Sequence, residues 1–108
     1  MKYILTSGQT VTGASVSLNM DDAVSKSAQK KHAFQAAVTG TGAVSATVQI
    51  QASNDPTVLG WLTLGTITLS GTTTATDGFS SEEAWTNIRS NVTAVSGTGA
   101  AVTVVMGI

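Results

Sequence analysis

Apolar residues recur at every second position over much of the chain. Phe34, Ala36 and Val38 share one face of one run, and Val44, Ala46, Val48 and Ile50 share one face of the next. Val102, Val104 and Met106 repeat the pattern near the C-terminus. A period of two sends side chains alternately to opposite faces of an extended backbone, so each run predicts a half-buried β-strand. Leu62 and Leu64 also alternate, and Ile67 and Leu69 then alternate in the opposite phase. The slip falls at Gly65, as a β-bulge there would require. Turn signals separate the runs at Ser7-Gly8, Thr12-Gly13, Gly40-Thr41-Gly42, Asn54-Asp55-Pro56, Ser70-Gly71, Asp77-Gly78 and Gly97-Thr98-Gly99. Short strands with frequent turns predict an all-β fold: a single-domain antiparallel β-sandwich of about seven or eight short strands, jelly-roll-like or Ig-like. Phe34, Val38, Val48, Ile50, Leu62, Leu64, Ile67, Val92, Val102 and Val104 are the expected core.

An internal repeat stands out. The stretch from Ala37 to Ala43 reads AVTGTGA, and that from Ala94 to Ala100 reads AVSGTGA. Each copy lies between two alternating runs, so each is expected at an exposed β-hairpin tip, where glycine accepts positive φ without a Cβ penalty. Neither copy extends into GxGxxG or GxxxxGK[ST], and neither precedes a helical pattern, which removes a phosphate-binding reading. At most one or two short helical turns are expected. One lies within residues 21–31, around Ala23, Val24 and Ala28; the other is a capping box from Ser80 to Glu83 before Trp85.

The chain has 108 residues, enough for one domain spanning residues 1–108. Residues 1–31 are read as N-terminal strands followed by a polar surface segment. Tyr3, Ile4, Leu5, Val11, Val16 and Leu18 are too many hydrophobes for a free tail. Threonine (18), serine (12), glycine (11) and alanine (14) dominate, while charged residues make up only 10%. An average soluble domain carries about 25% charged residues. Hydroxyls rather than ions must therefore wet the surface, and so little charge does not oppose association with other proteins. A net charge of −1 with one arginine gives no footprint for nucleic acid. No run approaches the roughly 20 apolar residues of a membrane span, and the first ten residues turn polar too early for a signal peptide.

The candidate chemistry is thin. With no cysteine, thiolate catalysis, disulfides and thiolate metal sites are excluded. His32 is the only histidine and reads as a strand-edge or surface residue without metal-site spacing. Asp21-Asp22 and Glu82-Glu83 are sequence neighbours, which tends to point them apart, and Asp55 and Asp77 read as turn formers, so no carboxylate pair suggests hydrolysis. The expectation is no catalytic residue, no cofactor and no metal. Lys26, Lys30 and Lys31 form a small basic cluster, read as a possible subunit interface. Trp61 and Trp85 each precede a strand-like run and read first as core, with a sugar platform as the alternative.

Residues 48–107 carry a family resemblance. They read VQIQASND, then Trp61-Leu62-Thr63-Leu64-Gly65, Asp77-Gly78-Phe79, Trp85, Ile88-Arg89 and NVTAVSGTGAAVTVVMG. Over a little more than half the chain, this order of elements resembles small bacteriophage virion proteins: β-sandwich head-decoration (cement) proteins and related head-fibre and tail modules. The resemblance implies a non-enzymatic capsid decoration protein on the outside of the phage head, stabilising capsomer contacts. Its partners would be the major capsid protein or other virion proteins, and it would act as a homo-oligomer, with a trimer favoured. It would be made in the host cytoplasm and located on the capsid surface, with no nucleic-acid or membrane partner. The alternatives are a head-fibre or tail appendage and a carbohydrate-binding β-sandwich.

Overall fold

The computed structural model describes residues 2–19, 32–82 and 85–107. The described chain is all-β with one short helix: β1 Lys2–Gln9, β2 Gly13–Ala14, β3 Leu18–Asn19, β4 His32–Ser53, α1 Pro56–Leu59, β5 Leu62–Ser81 and β6 Asn87–Gly107. The six strands form one antiparallel sheet in the order β1-β6-β4-β5, with β2 and β3 also paired to β6. The all-β antiparallel class is as expected. The strands are fewer and three of them much longer, because the expected breaks at Ser70-Gly71 and Asp77-Gly78 and both GTG copies lie inside strands.

The GTG segments are therefore not hairpin tips. At a tip, Thr39 and Ala43 would pair with each other; instead Thr39 pairs with Thr74 and Ala101, and Ala43 pairs with Thr72. Both ladders shift register here, which marks a bulged bend within a continuous strand. Thr41 of the first copy pairs with Thr98 of the second. The repeat thus bends two neighbouring strands at the same level. Gly97 shows why glycine is required: its φ is +122°, and a Cβ would lie 2.6 Å from the Ala43 carbonyl oxygen.

These bends fold the sheet back on itself. Phe79 pairs with Phe34 across the ladder, with ring centroids 5.3 Å apart. A Cβ on Gly65, in the same strand as Phe79, would meet the Phe79 ring at 2.6 Å. Fourteen residues of straight strand would hold those positions about 46 Å apart, yet the longest dimension of the molecule is 44 Å. β5 must reverse between them, and it bends around Gly71 and Thr73, the latter with φ +64°. Residues 32–39, 74–81, 101–107 and β1 make one arm; residues 43–53, 62–72, 87–96, β2 and β3 make the other.

The inner faces form the core. Phe34, Ala36, Val38, Val44, Ala46, Val48, Ile50, Ile67, Leu69, Val92, Val102, Val104 and Met106 are buried, as alternation predicts for this set. Leu64 is half-buried as the extra residue of the expected bulge, where Ile50 pairs with Gly65 and Gln51 with Thr63. Leu62 departs from the expectation. It pairs with Ala52 but begins β5 at the rim and is 57% exposed. His32 is buried at the start of β4, not a surface residue. The Ser90 hydroxyl is buried without a hydrogen-bond partner, while its backbone N–H donates to the Ser15 hydroxyl at 3.0 Å.

Residues 2–19 contribute β1, β2 and β3, with Leu5 buried and Tyr3 and Leu18 packed on the core, while the polar segment expected to follow them lies outside the described residues. Ile4, Val11 and Val16 are exposed. The predicted turn within residues 21–31 lies outside the described residues. Of the capping box, Ser80 and Ser81 end β5, and Glu83 lies outside the described residues. The observed helical turn falls elsewhere: Asp55 caps α1, accepting from the Val58 N–H, and Pro56 opens it.

The bends make opposite demands on two residues. Gly97→Ala should destabilise the fold by roughly 2–4 kcal/mol through strain and overlap with the Ala43 carbonyl. Thr73→Gly should stabilise it by about 0.5–1 kcal/mol, because relief of a left-handed backbone exceeds the added unfolded-state entropy. Urea midpoints of the two variants should move in opposite directions from that of the wild type.

Candidate functional site

The end of β4 and the starts of β5 and β6 lie side by side, so residues distant in sequence share one outer surface. Gln51 of β4 pairs with Thr63 of β5 and Arg89 of β6. The Arg89 Nε donates to the Gln51 Oε1 at 2.7 Å, and the Gln51 Nε2 donates to the Gln49 Oε1 at 3.3 Å. The Arg89 guanidinium lies over the Trp61 ring, 4.3 Å from its centroid. Trp61, Arg89, Gln51 and Gln49 thus form a continuous chain of contacts. A cation over an indole face is an attractive contact, and the planar guanidinium is shaped to stack there while it donates in its own plane. The arrangement holds the Arg89 guanidinium against an aromatic face, and among the described residues the only charge in this group is that of Arg89.

Beside it the chain reverses through α1. The Asp55 carboxylate accepts from the Thr57 hydroxyl at 2.8 Å, and the Ser53 hydroxyl accepts from the Asp55 N–H at 3.1 Å. These bonds fix the turn while leaving its apolar residues in solvent: Val58 is 76% exposed and Leu59 73%. Leu62, next to Trp61 in sequence, is also exposed, so three exposed apolar residues fall within five positions and make this an apolar tip. Thr86 ties the β5–β6 connection to the same end, its hydroxyl donating to the Ser53 and Asn54 carbonyls.

The structure separates the two tryptophans. Trp85 is half-buried and packs against the core, in line with its first reading. Trp61 is half-buried on the outer surface, with one ring face covered by Arg89. They do not share the core role that the sequence suggested, because Trp61 precedes the Leu64–Gly65 bulge at the rim. Lys26, Lys30 and Lys31 lie outside the described residues. Asp77 lies within β5 rather than in a turn, where its carboxylate accepts from the Gly78 N–H at 2.8 Å. Sequence reasoning missed Arg89, Gln51 and the apolar tip. Arg89 and Trp61 are 28 positions apart, and only strand register brings them together; Leu62 reads as core from its alternation with Leu64.

Among the described residues, no group of three His, Cys, Asp or Glu is placed to hold a metal ion. No helix among them is long and apolar enough to cross a membrane. Fold and site together define an all-β domain made of one bent antiparallel sheet, with an arginine–tryptophan stack and an apolar tip at one end. Compared with protein-family models, curated proteins and solved structures, the chain matches none.

The stack and the core contact of Trp85 should separate by mutation. Arg89→Ala should uncover Trp61, raising fluorescence quenching by iodide at a stability cost of about 0.5–1 kcal/mol. Trp85→Ala should cost more, about 2–4 kcal/mol, because it removes apolar packing. Equal losses in denaturant titrations would contradict this division.

Proposed function

We propose that this chain is a non-enzymatic virion structural protein, a capsid decoration or cement protein that binds the outside of a phage head and stabilises contacts between capsomers. The order of elements over residues 48–107 led to this reading. The observation that carries it further is the exposed apolar tip of Val58, Leu59 and Leu62 on a domain whose outer strand faces carry threonine, serine and glutamine. A shell protein works through area and fit, so weakly charged faces can lie close to other subunits while an apolar tip provides the anchor. The tip is the docking point in this reading, and the lysine cluster Lys26, Lys30 and Lys31 would supply a second contact with the neighbouring subunit, since a lysine can lay its stem on protein while its ammonium stays in water. A head-fibre or tail appendage would use the same surfaces.

The finer fold reading is a β-sandwich whose two layers are the two arms of the bent sheet. The contact of Phe79 with Gly65 supports it. So does the five-residue link between Ser81, which pairs with His32 in one arm, and Asn87, which pairs with Ser53 in the other. Such a link bridges the roughly 10 Å between packed sheets.

A second reading, carbohydrate binding, draws on Trp61 beside Gln49, Gln51 and Arg89. A pyranose would stack on the indole or displace Arg89 from it. A glycan array with Trp61→Ala and Trp85→Ala decides this: binding lost in the Trp61 variant alone supports it, and absence of wild-type binding ends it.

The main test is attachment. Labelled wild-type chain should co-sediment with phage heads lacking their own copy and appear on their outer surface in electron micrographs. The triple variant Val58→Ser, Leu59→Ser, Leu62→Ser should keep its fold by circular dichroism and attach at least tenfold more weakly. Neutralising Lys26, Lys30 and Lys31 should weaken attachment less, and most at low salt. Wild type that never sediments with heads, or a tip variant that attaches as tightly, would remove the proposal.

A further inference from the structure

We propose that the outer edge of β5 pairs antiparallel with the same edge of a second copy, about a two-fold axis through Thr68. Among the described residues, β5 ends the strand order, hydrogen-bonded to β4 on one side. Edge strands present a row of backbone donors and acceptors, and proteins ordinarily blunt them with lysine, proline, inward-pointing charge or shortness. β5 runs for 20 residues with no proline or lysine, and its one ionisable side chain is Asp77.

The sequence of that edge identifies the occupant. Between the Leu64 bulge and the bend at Thr73, the uninterrupted stretch reads Gly65-Thr66-Ile67-Thr68-Leu69-Ser70-Gly71. It is nearly the same in both directions. Antiparallel pairing centred on Thr68 sets Gly65 opposite Gly71, Thr66 opposite Ser70, Ile67 opposite Leu69 and Thr68 opposite itself. Hydroxyls meet hydroxyls on the outer face, and aliphatic residues meet on the inner face, where Ile67 and Leu69 are already 2% exposed. These are favourable cross-strand pairs, and no like charges oppose one another. Such an isologous contact places the same patch on both partners, as a two-fold axis requires. The backbone permits it in either phase: Thr68 directed outward bonds its own counterpart, and Ile67 directed outward bonds Leu69 of the other copy.

Seven residues span about 24 Å, and an edge of that length falls below the roughly 1,000 Å² expected of a stable interface. The pairing is therefore weak and dissociates on dilution. It produces a dimer, not the trimer the family resemblance favours. It follows from the strand alone and stands whether or not the chain decorates a particle.

The absence of cysteine makes the test clean. Directly opposed residues in an antiparallel pair have Cα atoms about 4.5–5.5 Å apart, within disulfide reach. Thr68→Cys should form disulfide dimers under mild oxidation at least tenfold faster than Thr93→Cys, an exposed control on β6. Thr66→Cys and Ser70→Cys should cross-link slowly alone and rapidly when mixed. In sedimentation equilibrium, wild type should associate in the micromolar-to-millimolar range, and Thr68→Lys, with two ammonium groups opposed on the axis, should remain monomeric with an unchanged unfolding midpoint. Three results would each overturn the proposal: Thr68→Cys no faster than the control, Thr66→Cys linking to itself as fast as to Ser70→Cys, or wild type monomeric throughout.

Discussion

The structure depends on all its long strands reversing along one line. A hydrogen-bonded sheet cannot bend in one strand alone, since a neighbour left straight would lose its ladder. The bends at residues 40–42 in β4, 71–73 in β5 and 97–99 in β6 therefore fall side by side, with Thr41 opposite Thr98 and Thr72 opposite Ala43. The N-terminal chain crosses the same line between Gln9, opposite Val102, and Gly13, opposite Val92. There the Gln9 amide donates to the Val11 and Gly13 carbonyls and supports the crossing. Positive φ values cluster along this line, at Gly13, Gly42, Thr73, Gly97 and Gly99.

Once folded, the sheet meets its own inner face. Gly65 lacks a side chain where the Phe79 ring lies, so the arms approach closely at the point where Phe34 and Phe79 contribute the bulkiest core pair. The core is otherwise built from Val, Ile, Leu, Ala and Met106, which suits a thin interior. The strand ends are gathered at the opposite end from the bends. That gathering assembles Trp61, Arg89, Gln51 and the apolar tip from three separate stretches of chain, so the site is a consequence of the reversal.

Alternation made much of this legible in the sequence. Ile50, Val48 and Val38 were identified as core, and the phase slip located the Gly65 bulge, because burial on one face of a strand imposes a period of two whatever the topology. The GTG segments misled for a physical reason. Glycine flanked by alternating runs marks a departure from straight strand, but a reversal between paired strands and a bend shared by adjacent strands need the same local freedom. Only long-range pairing distinguishes them. The two copies are alike because neighbours bend at one level, which makes the repeat a mark of their adjacency. The Trp61–Arg89 stack had no local signal. It exists through the register that sets Gln51 opposite Arg89, and register is a property of two strands.

The same constraint bears on how the surface is wetted. A sheet bent sharply across all its strands exposes the full outer face of each arm, so a short chain presents a large area of pleated surface. Threonine and serine fill such a face without charge repulsion, since a β-branched methyl packs along the pleat while the hydroxyl remains in water. This leaves few ionic groups to keep copies apart. Closure into a barrel would remove the edges, whereas bending preserves them and places the β5 edge along one side of the molecule. A fold stabilised this way keeps backbone donors and acceptors available at its boundary and little electrostatic resistance to their use. Those properties suit the structural role proposed above. The Trp61–Arg89 stack adds a fixed polar feature to outer strand faces that otherwise carry mostly small hydroxyls.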